Sequence, residues 1–123
     1  MRLILLIGFG SFIGGVSRYL VTLFIQNKYL SSFPFGTMAV NIIGCFLIGL
    51  VYGLSDKGTF NAEWRIFLAT GILGGFTTFS SFSHETITLL REEHYLYAFA
   101  NVGLSIILGL TATIAGILLI KNI

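Results

Sequence analysis

Charged residues are what this sequence has least of. Only 10% of its 123 residues are charged, whereas a soluble domain carries about 25%. The seven basic residues are scattered and form no run, so the sequence offers no basic surface for nucleic acid and we expect no such partner. The mean hydropathy of +0.93 indicates a membrane protein, and the length predicts a single transmembrane domain over residues 1–123.

Cysteine and proline are also nearly absent, with one of each. A lone Cys45 excludes an internal disulfide and a multi-cysteine metal site, and its apolar neighbours indicate a small side chain buried in the membrane. The first ten residues, MRLILLIGFG, resemble a signal peptide, but the apolar run continues to Ile25 without a clear cleavage site. We therefore predict an uncleaved first membrane helix.

Four apolar segments each have about the 20 residues that a membrane-spanning helix needs. They cover residues 3–25, 35–54, 64–90 and 95–120. With both termini on one side, four basic residues lie on that side and two on the other. This bias is weak, so the sequence leaves open that copies of the chain insert in both orientations.

Small residues recur four positions apart on three of the segments. Such spacing lets helix backbones approach closely in lipid. The pairs are Gly10 with Gly14, Gly49 with Gly53, and Ser105 with Gly109. We expect these faces to form the contacts between helices.

The third segment contains GGFTTFSSFSHE, residues 74–85, near its midpoint. Paired glycines and β-branched threonines weaken a helix by roughly 0.5–1 kcal/mol per residue relative to alanine. We predict that the third helix is broken here, at the membrane midplane, where free peptide groups survive only if protein or a water-filled path shields them. The alternative is a continuous helix whose hydroxyls bond back to the preceding turn.

Uncharged polar and aromatic residues accompany the predicted break. Phe79 and Phe82 would share a helix face, and the positive edges of their rings suit a dry anion path, although packing against lipid or protein is the alternative. Asn41 and Thr37 on the second segment and Ser105 on the fourth add hydrogen-bond donors. Alternatively, the Asn41 amide holds neighbouring helices together through a hydrogen bond.

Ionisable residues inside membrane segments are functional candidates. Arg18 would either hold an anion at a vestibule or extend its charge to the lipid headgroups. Glu85 is the one acidic residue within a predicted span. We assign no role to His84.

The motif GGFTTFSSF resembles the CrcB/Fluc family of fluoride channels. The similarity extends to GGVSRYL, FGTMAVNIIGCFLIG and ANVGLSIILGL, and so covers essentially the whole chain. It implies an all-α membrane protein with four transmembrane helices, assembled as an antiparallel, dual-topology homodimer in the cell inner membrane. The implied function is passive, fluoride-selective conduction that exports fluoride and reduces its toxicity.

The resemblance also implies the roles of particular residues. A structural sodium ion at the dimer interface would be held by the backbone carbonyls of Gly74 and Thr77. Two pores per dimer would conduct fluoride beside the sodium. Their predicted lining is Phe79, Phe82, Asn41, Ser81, Thr37, Ser105 and Arg18.

Two other functions stay open on the residues alone. A small dual-topology, proton-coupled multidrug exporter needs a carboxylate in the membrane, for which Glu85 is the candidate. An accessory membrane subunit would show no flux when purified alone. Acidic residues and histidines near residues 84–94 lack the spacing of a catalytic metal site, and we expect no enzymatic activity.

Overall fold

All residues 1–123 are described by the computed structural model, and every regular element in it is a helix. The third span is helical from 62 to 76 (α3), breaks, and resumes as α4. The elements are α1, Arg2–Lys28; α2, Phe35–Asp56; α3, made of Ala62–Arg65, Ile66–Leu73 and Gly74–Phe76; α4, Phe79–Arg91; and α5, Tyr95–Lys121.

Four helical segments are long and apolar enough to cross a membrane, as predicted. They are Arg2–Lys28, Phe35–Asp56, Ala62–Arg91 and Tyr95–Lys121. Each bound lies within three residues of the span expected from hydropathy. The structure therefore has the multi-pass, all-α architecture that the composition indicated.

Glycines set the distance between α1 and α3, which pack along each other. A Cβ atom added to Gly10 would lie 2.9 Å from the Cα of Gly71, and one added to Gly75 would lie 2.6 Å from the carbonyl oxygen of Ser11. No larger residue fits these positions without moving a backbone. Close packing through small residues is thus confirmed for α1.

A second glycine contact joins α2 to α5. A Cβ atom on Gly49 would collide with the backbone at Thr113, and one on Gly116 would collide with the carbonyl of Phe46. Two close-packed helix pairs, α1 with α3 and α2 with α5, therefore form the framework of the chain.

The middle of α3 is a π-helix over Ile66–Leu73. Its wider turn is rare in proteins and is frequently found at functional sites. The hydroxyl of Ser11 on α1 donates to the carbonyl of Gly71 in this segment at 3.4 Å. No feature of the sequence predicted the π-helix.

The predicted break in the third span is confirmed, and it falls on the two threonines. Thr77 (φ −80°, ψ 156°) and Thr78 (φ −150°, ψ 118°) are extended, whereas Gly74 keeps helical angles (φ −63°, ψ −36°). Branching at Cβ favours extended backbone. The glycines instead allow α3 to approach α1, as the contact between Gly75 and Ser11 shows.

Helix α4 is much more polar than the other spans. Its buried side is marked by Leu89, which is 3% exposed, while Ser80 and His84 are exposed on its other side. In a membrane segment such a polar face requires cover by protein or contact with water.

Candidate functional site

Asn41 on α2 holds the break through two hydrogen bonds to one residue. The backbone N–H of Thr78 donates to the Oδ1 atom of Asn41 at 2.8 Å, and the Nδ2 atom of Asn41 donates to the carbonyl oxygen of Thr78 at 3.0 Å. The amide thus replaces the helical partner that the N–H of Thr78 has lost, and it adds a bond at the Thr78 carbonyl oxygen. One N–H of this amide remains free to donate elsewhere.

Thr78 also caps the start of α4. Its Oγ1 atom accepts the backbone N–H of Ser81 at 3.2 Å and donates to the Ser81 hydroxyl at 3.1 Å. The Ser80 hydroxyl lies 3.2 Å from the same atom. Threonine is a favoured N-cap residue, so this role was visible in the sequence, but we did not predict it.

The N–H groups of Thr78 and Ser81 bond to side chains, which releases two carbonyl oxygens, one in α3 and one in the break. In a continuous helix the N–H of Thr78 would bond to the carbonyl of Gly74, and the N–H of Ser81 to that of Thr77. Both donors are bound to the side chains of Asn41 and Thr78 instead. The released oxygens are the pair that the resemblance implies for sodium, and carbonyl oxygens suit a hard cation.

Arg18 on α1 extends to the break. Its Nη1 atom donates to the carbonyl oxygen of Thr77 at 3.3 Å, and the side chain is partly buried. The hydroxyl of Thr77 donates to the carbonyl oxygen of Leu73 in α3 at 2.9 Å. A predicted anion-path residue therefore contacts a predicted sodium ligand.

An open cavity of about 320 Å³ borders the break. Asn41, Thr77 and Thr78 are the polar side chains that line it, and Phe79 and Cys45 lie in its wall. Side chains from α2 and both halves of the third span thus meet around one space that opens on the surface of the chain.

Phe79 and Phe82 form an aromatic pair at the start of α4. Their ring centroids are 5.5 Å apart, with an angle of 40° between the ring planes. Phe79 is 79% exposed and Phe82 is partly buried. Phe79 lines the cavity, and Phe82 lies about one turn farther along α4.

A second polar group lies farther along α4. The hydroxyl of Thr37 donates to the Oε1 atom of Glu85 at 2.6 Å, while the Oε2 atom of Glu85 and the Oγ atom of Ser105 are buried without a partner. Asn101 on α5 donates to the Thr86 hydroxyl at 2.9 Å. Thr37 and Ser105 therefore lie outside the cavity at the break, and the bond between Thr37 and Glu85 was not predicted.

Comparison with known proteins identifies the family. Residues 5–117 match the family described as CrcB-like protein, Camphor Resistance (CrcB). The chain belongs to the CrcB family. Its fold of four apolar helices, with a threonine break in the third, is therefore the fold of a CrcB member.

Relatives of the CrcB chain cover nearly its whole length. It is 43% identical to a protein of Leptospira interrogans (strain Fiocruz L1-130) over 97% of this chain and 94% of the relative. It is 47% identical to one from Parabacteroides distasonis over 93% and 89%. It is 45% identical to one from Flavobacterium psychrophilum over 100% of both chains. Each is named "Fluoride-specific ion channel FluC", a channel and not an enzyme, which agrees with the expectation from the sequence.

Proposed function

We propose that this chain forms a fluoride-selective channel that lets fluoride leave the cytoplasm passively. The observation that carries the proposal is the cavity at the break, which is bordered by uncharged donors and by the exposed ring of Phe79. The relatives named as fluoride channels support the choice of ion. Fluoride needs strong hydrogen-bond donors to replace its water, and hydroxyl and amide groups supply them without trapping the ion.

The exposed groups around the break support a second copy of the chain. The cavity opens on the surface, and the polar face with Ser80 and His84 is uncovered. Lipid would leave these groups unsatisfied. A copy inserted in the opposite orientation would place its own break at the same depth, and the weak charge bias allows both orientations in the cell inner membrane.

The released carbonyls support a cation between the two copies. Each chain provides the oxygens of Gly74 and Thr77, and two ligands are too few for a hard cation, which takes about six oxygen ligands. Two copies would provide four backbone oxygens. Sodium held there would join the copies and add a fixed positive charge beside the anion path.

Two paths, one on each side of the dimer, would then conduct fluoride. The edges of Phe79 and Phe82 would form the narrow part, and the free N–H of Asn41 would donate to the ion there. The hydroxyls of Ser81 on α4, Thr37 on α2 and Ser105 on α5 would extend this polar lining. The unpartnered Oγ atom of Ser105 supports its place in a path that contains water or an ion.

One observation favours the exporter as a second candidate. The carboxylate of Glu85 is partly buried and has one oxygen without a partner, as a proton-exchanging group would. However, its other oxygen accepts the Thr37 hydroxyl at 2.6 Å, and Glu85 is not among the residues that line the cavity at the break. The channel is therefore the preferred function.

Growth in fluoride tests the proposed function. A bacterial strain that lacks its own fluoride exporters should grow in fluoride when it produces this chain. The Phe79→Ile variant, produced at the same level in the membrane, should protect much less. Absence of protection by wild-type protein that is present in the membrane would contradict the proposal.

A further inference from the structure

Arg18 lies too deep in the membrane for its charge to reach the headgroups easily. It precedes Lys28, at the end of α1, by ten residues, which is about 15 Å along a helix and about half the thickness of the hydrocarbon layer. A charge at this depth requires a partner inside the protein. The position therefore disfavours the lipid-facing alternative.

The partner of Arg18 is a backbone oxygen and not a carboxylate. Its Nη1 atom donates to the carbonyl of Thr77 at 3.3 Å, and the one salt bridge of the chain joins Arg2 to Glu63 far from the break. The guanidinium charge is thus not neutralised. It acts on one of the two oxygens that the break releases.

We propose that Arg18 is a positioning residue of the break that fixes the Thr77 carbonyl and limits how strongly this oxygen holds a metal cation. Arginine stays protonated at every physiological pH, so a metal cation bound to the same oxygen always experiences a like charge nearby. The repulsion is twice as large for a divalent ion as for a monovalent one. Arg18 therefore weakens cation binding at the break, and weakens it more for divalent than for monovalent cations.

This inference reassigns a residue that the sequence placed on the anion path. It rests on the cation site of the proposed function and does not require fluoride to be the ion conducted. An amide side chain could also donate a hydrogen bond to Thr77. Of the two, only arginine adds a permanent positive charge, and this charge acts on the site.

Thermal stability of the purified protein in detergent tests the proposal, because a cation that binds only the folded protein raises the melting temperature in a concentration-dependent way. Sodium chloride would be titrated against N-methylglucamine chloride at constant ionic strength. Arg18→Gln, which keeps a donor and removes the charge, should lower the half-stabilising sodium concentration roughly tenfold. Arg18→Lys, which keeps the charge, should stay within about threefold of wild type.

Lys28→Gln is the matched control, since it removes one positive charge from the exposed end of the same helix. It should leave the sodium dependence unchanged. An Arg18→Gln variant that needs as much sodium as wild type, or more, would overturn the proposal, as would a wild-type protein that sodium does not stabilise.

The valence preference can be measured on wild type alone, and so does not depend on how any variant folds. The half-stabilising concentration of calcium for the wild-type protein should be no lower than that of sodium. A half-stabilising calcium concentration tenfold below that of sodium would contradict the role of Arg18. Fluoride release from vesicles is measured separately. If the protein conducts fluoride but sodium does not raise its melting temperature, only this inference is contradicted. If sodium raises the melting temperature but fluoride is not released, only the proposed function is contradicted.

Discussion

The two halves of the third span differ in what holds them in place. Helix α3 lies against α1 through glycine contacts, such as Gly75 against Ser11. Helix α4 is joined to its neighbours by side-chain hydrogen bonds, from Thr37 to Glu85 and from Asn101 to Thr86. The comparison shows that backbone contact fixes the first half, while polar groups that suit an ion path are concentrated in the second.

The largest effect is expected from a change in the glycine-packed half. The Gly14→Val substitution would force a side chain into the backbone of α3 at Ile72, so the two helices would have to separate. We expect loss of the folded protein, measured as loss of a single peak in size-exclusion chromatography. Gly15→Val is the control, because a Cβ atom at Gly15 meets nothing within 4 Å; equal behaviour of both variants would contradict the packing account.

The next largest effect is expected at the boundary between the halves. Asn41→Ala would leave the N–H of Thr78 without a partner, at a cost of about 1–3 kcal/mol, and would remove the bond from Asn41 to the Thr78 carbonyl oxygen. The melting temperature and fluoride flux should both fall. Thr111→Ala is the control, since its exposed hydroxyl bonds only within its own helix; a wild-type melting temperature in Asn41→Ala would show that the amide does not hold the break.

Substitutions in the polar half should reduce conduction without unfolding the protein. Phe79→Ile or Phe82→Ile removes a ring edge and keeps an apolar side chain, so we expect roughly tenfold lower fluoride flux with assembly intact, which corresponds to about 1.4 kcal/mol in the barrier. Flux from vesicles and chromatography of the same sample measure the two effects. Normal flux from both variants would remove the rings from the path.

The smallest effect is expected for Glu85→Gln. The amide can still accept the Thr37 hydroxyl, so the contact between α2 and α4 persists. Fluoride flux should stay within about threefold of wild type, because no proton exchange is required in the channel. Complete loss of transport would instead favour the exporter.

The sequence predicted more of the fold than of the site. Hydropathy alone predicted the four spans, and the run of glycines and hydroxyl residues predicted the break. The exact position of the break, at Thr77 and Thr78, depends on bonds from Asn41 that join residues 37 positions apart. Sequence spacing does not encode such contacts.

The partners of individual polar residues were the least predictable. Arg18 was expected on the anion path, a role that stays a prediction, and its hydrogen bond to the carbonyl of Thr77 was not expected. The hydrogen-bond partner of Arg18 depends on how closely Gly10 and Gly14 bring α1 to α3. This distance is a property of the packed structure. The fluoride-binding roles of Asn41 and the two phenylalanines stay predictions.

Release of ions from vesicles that contain only this purified chain tests the central claim most directly. Vesicles loaded with equal concentrations of fluoride and chloride would be made conductive to potassium, and the release of each halide would be followed with its own electrode. We predict rapid release of fluoride while chloride is retained. Release of both ions at similar rates, or of neither, would contradict a fluoride-selective channel.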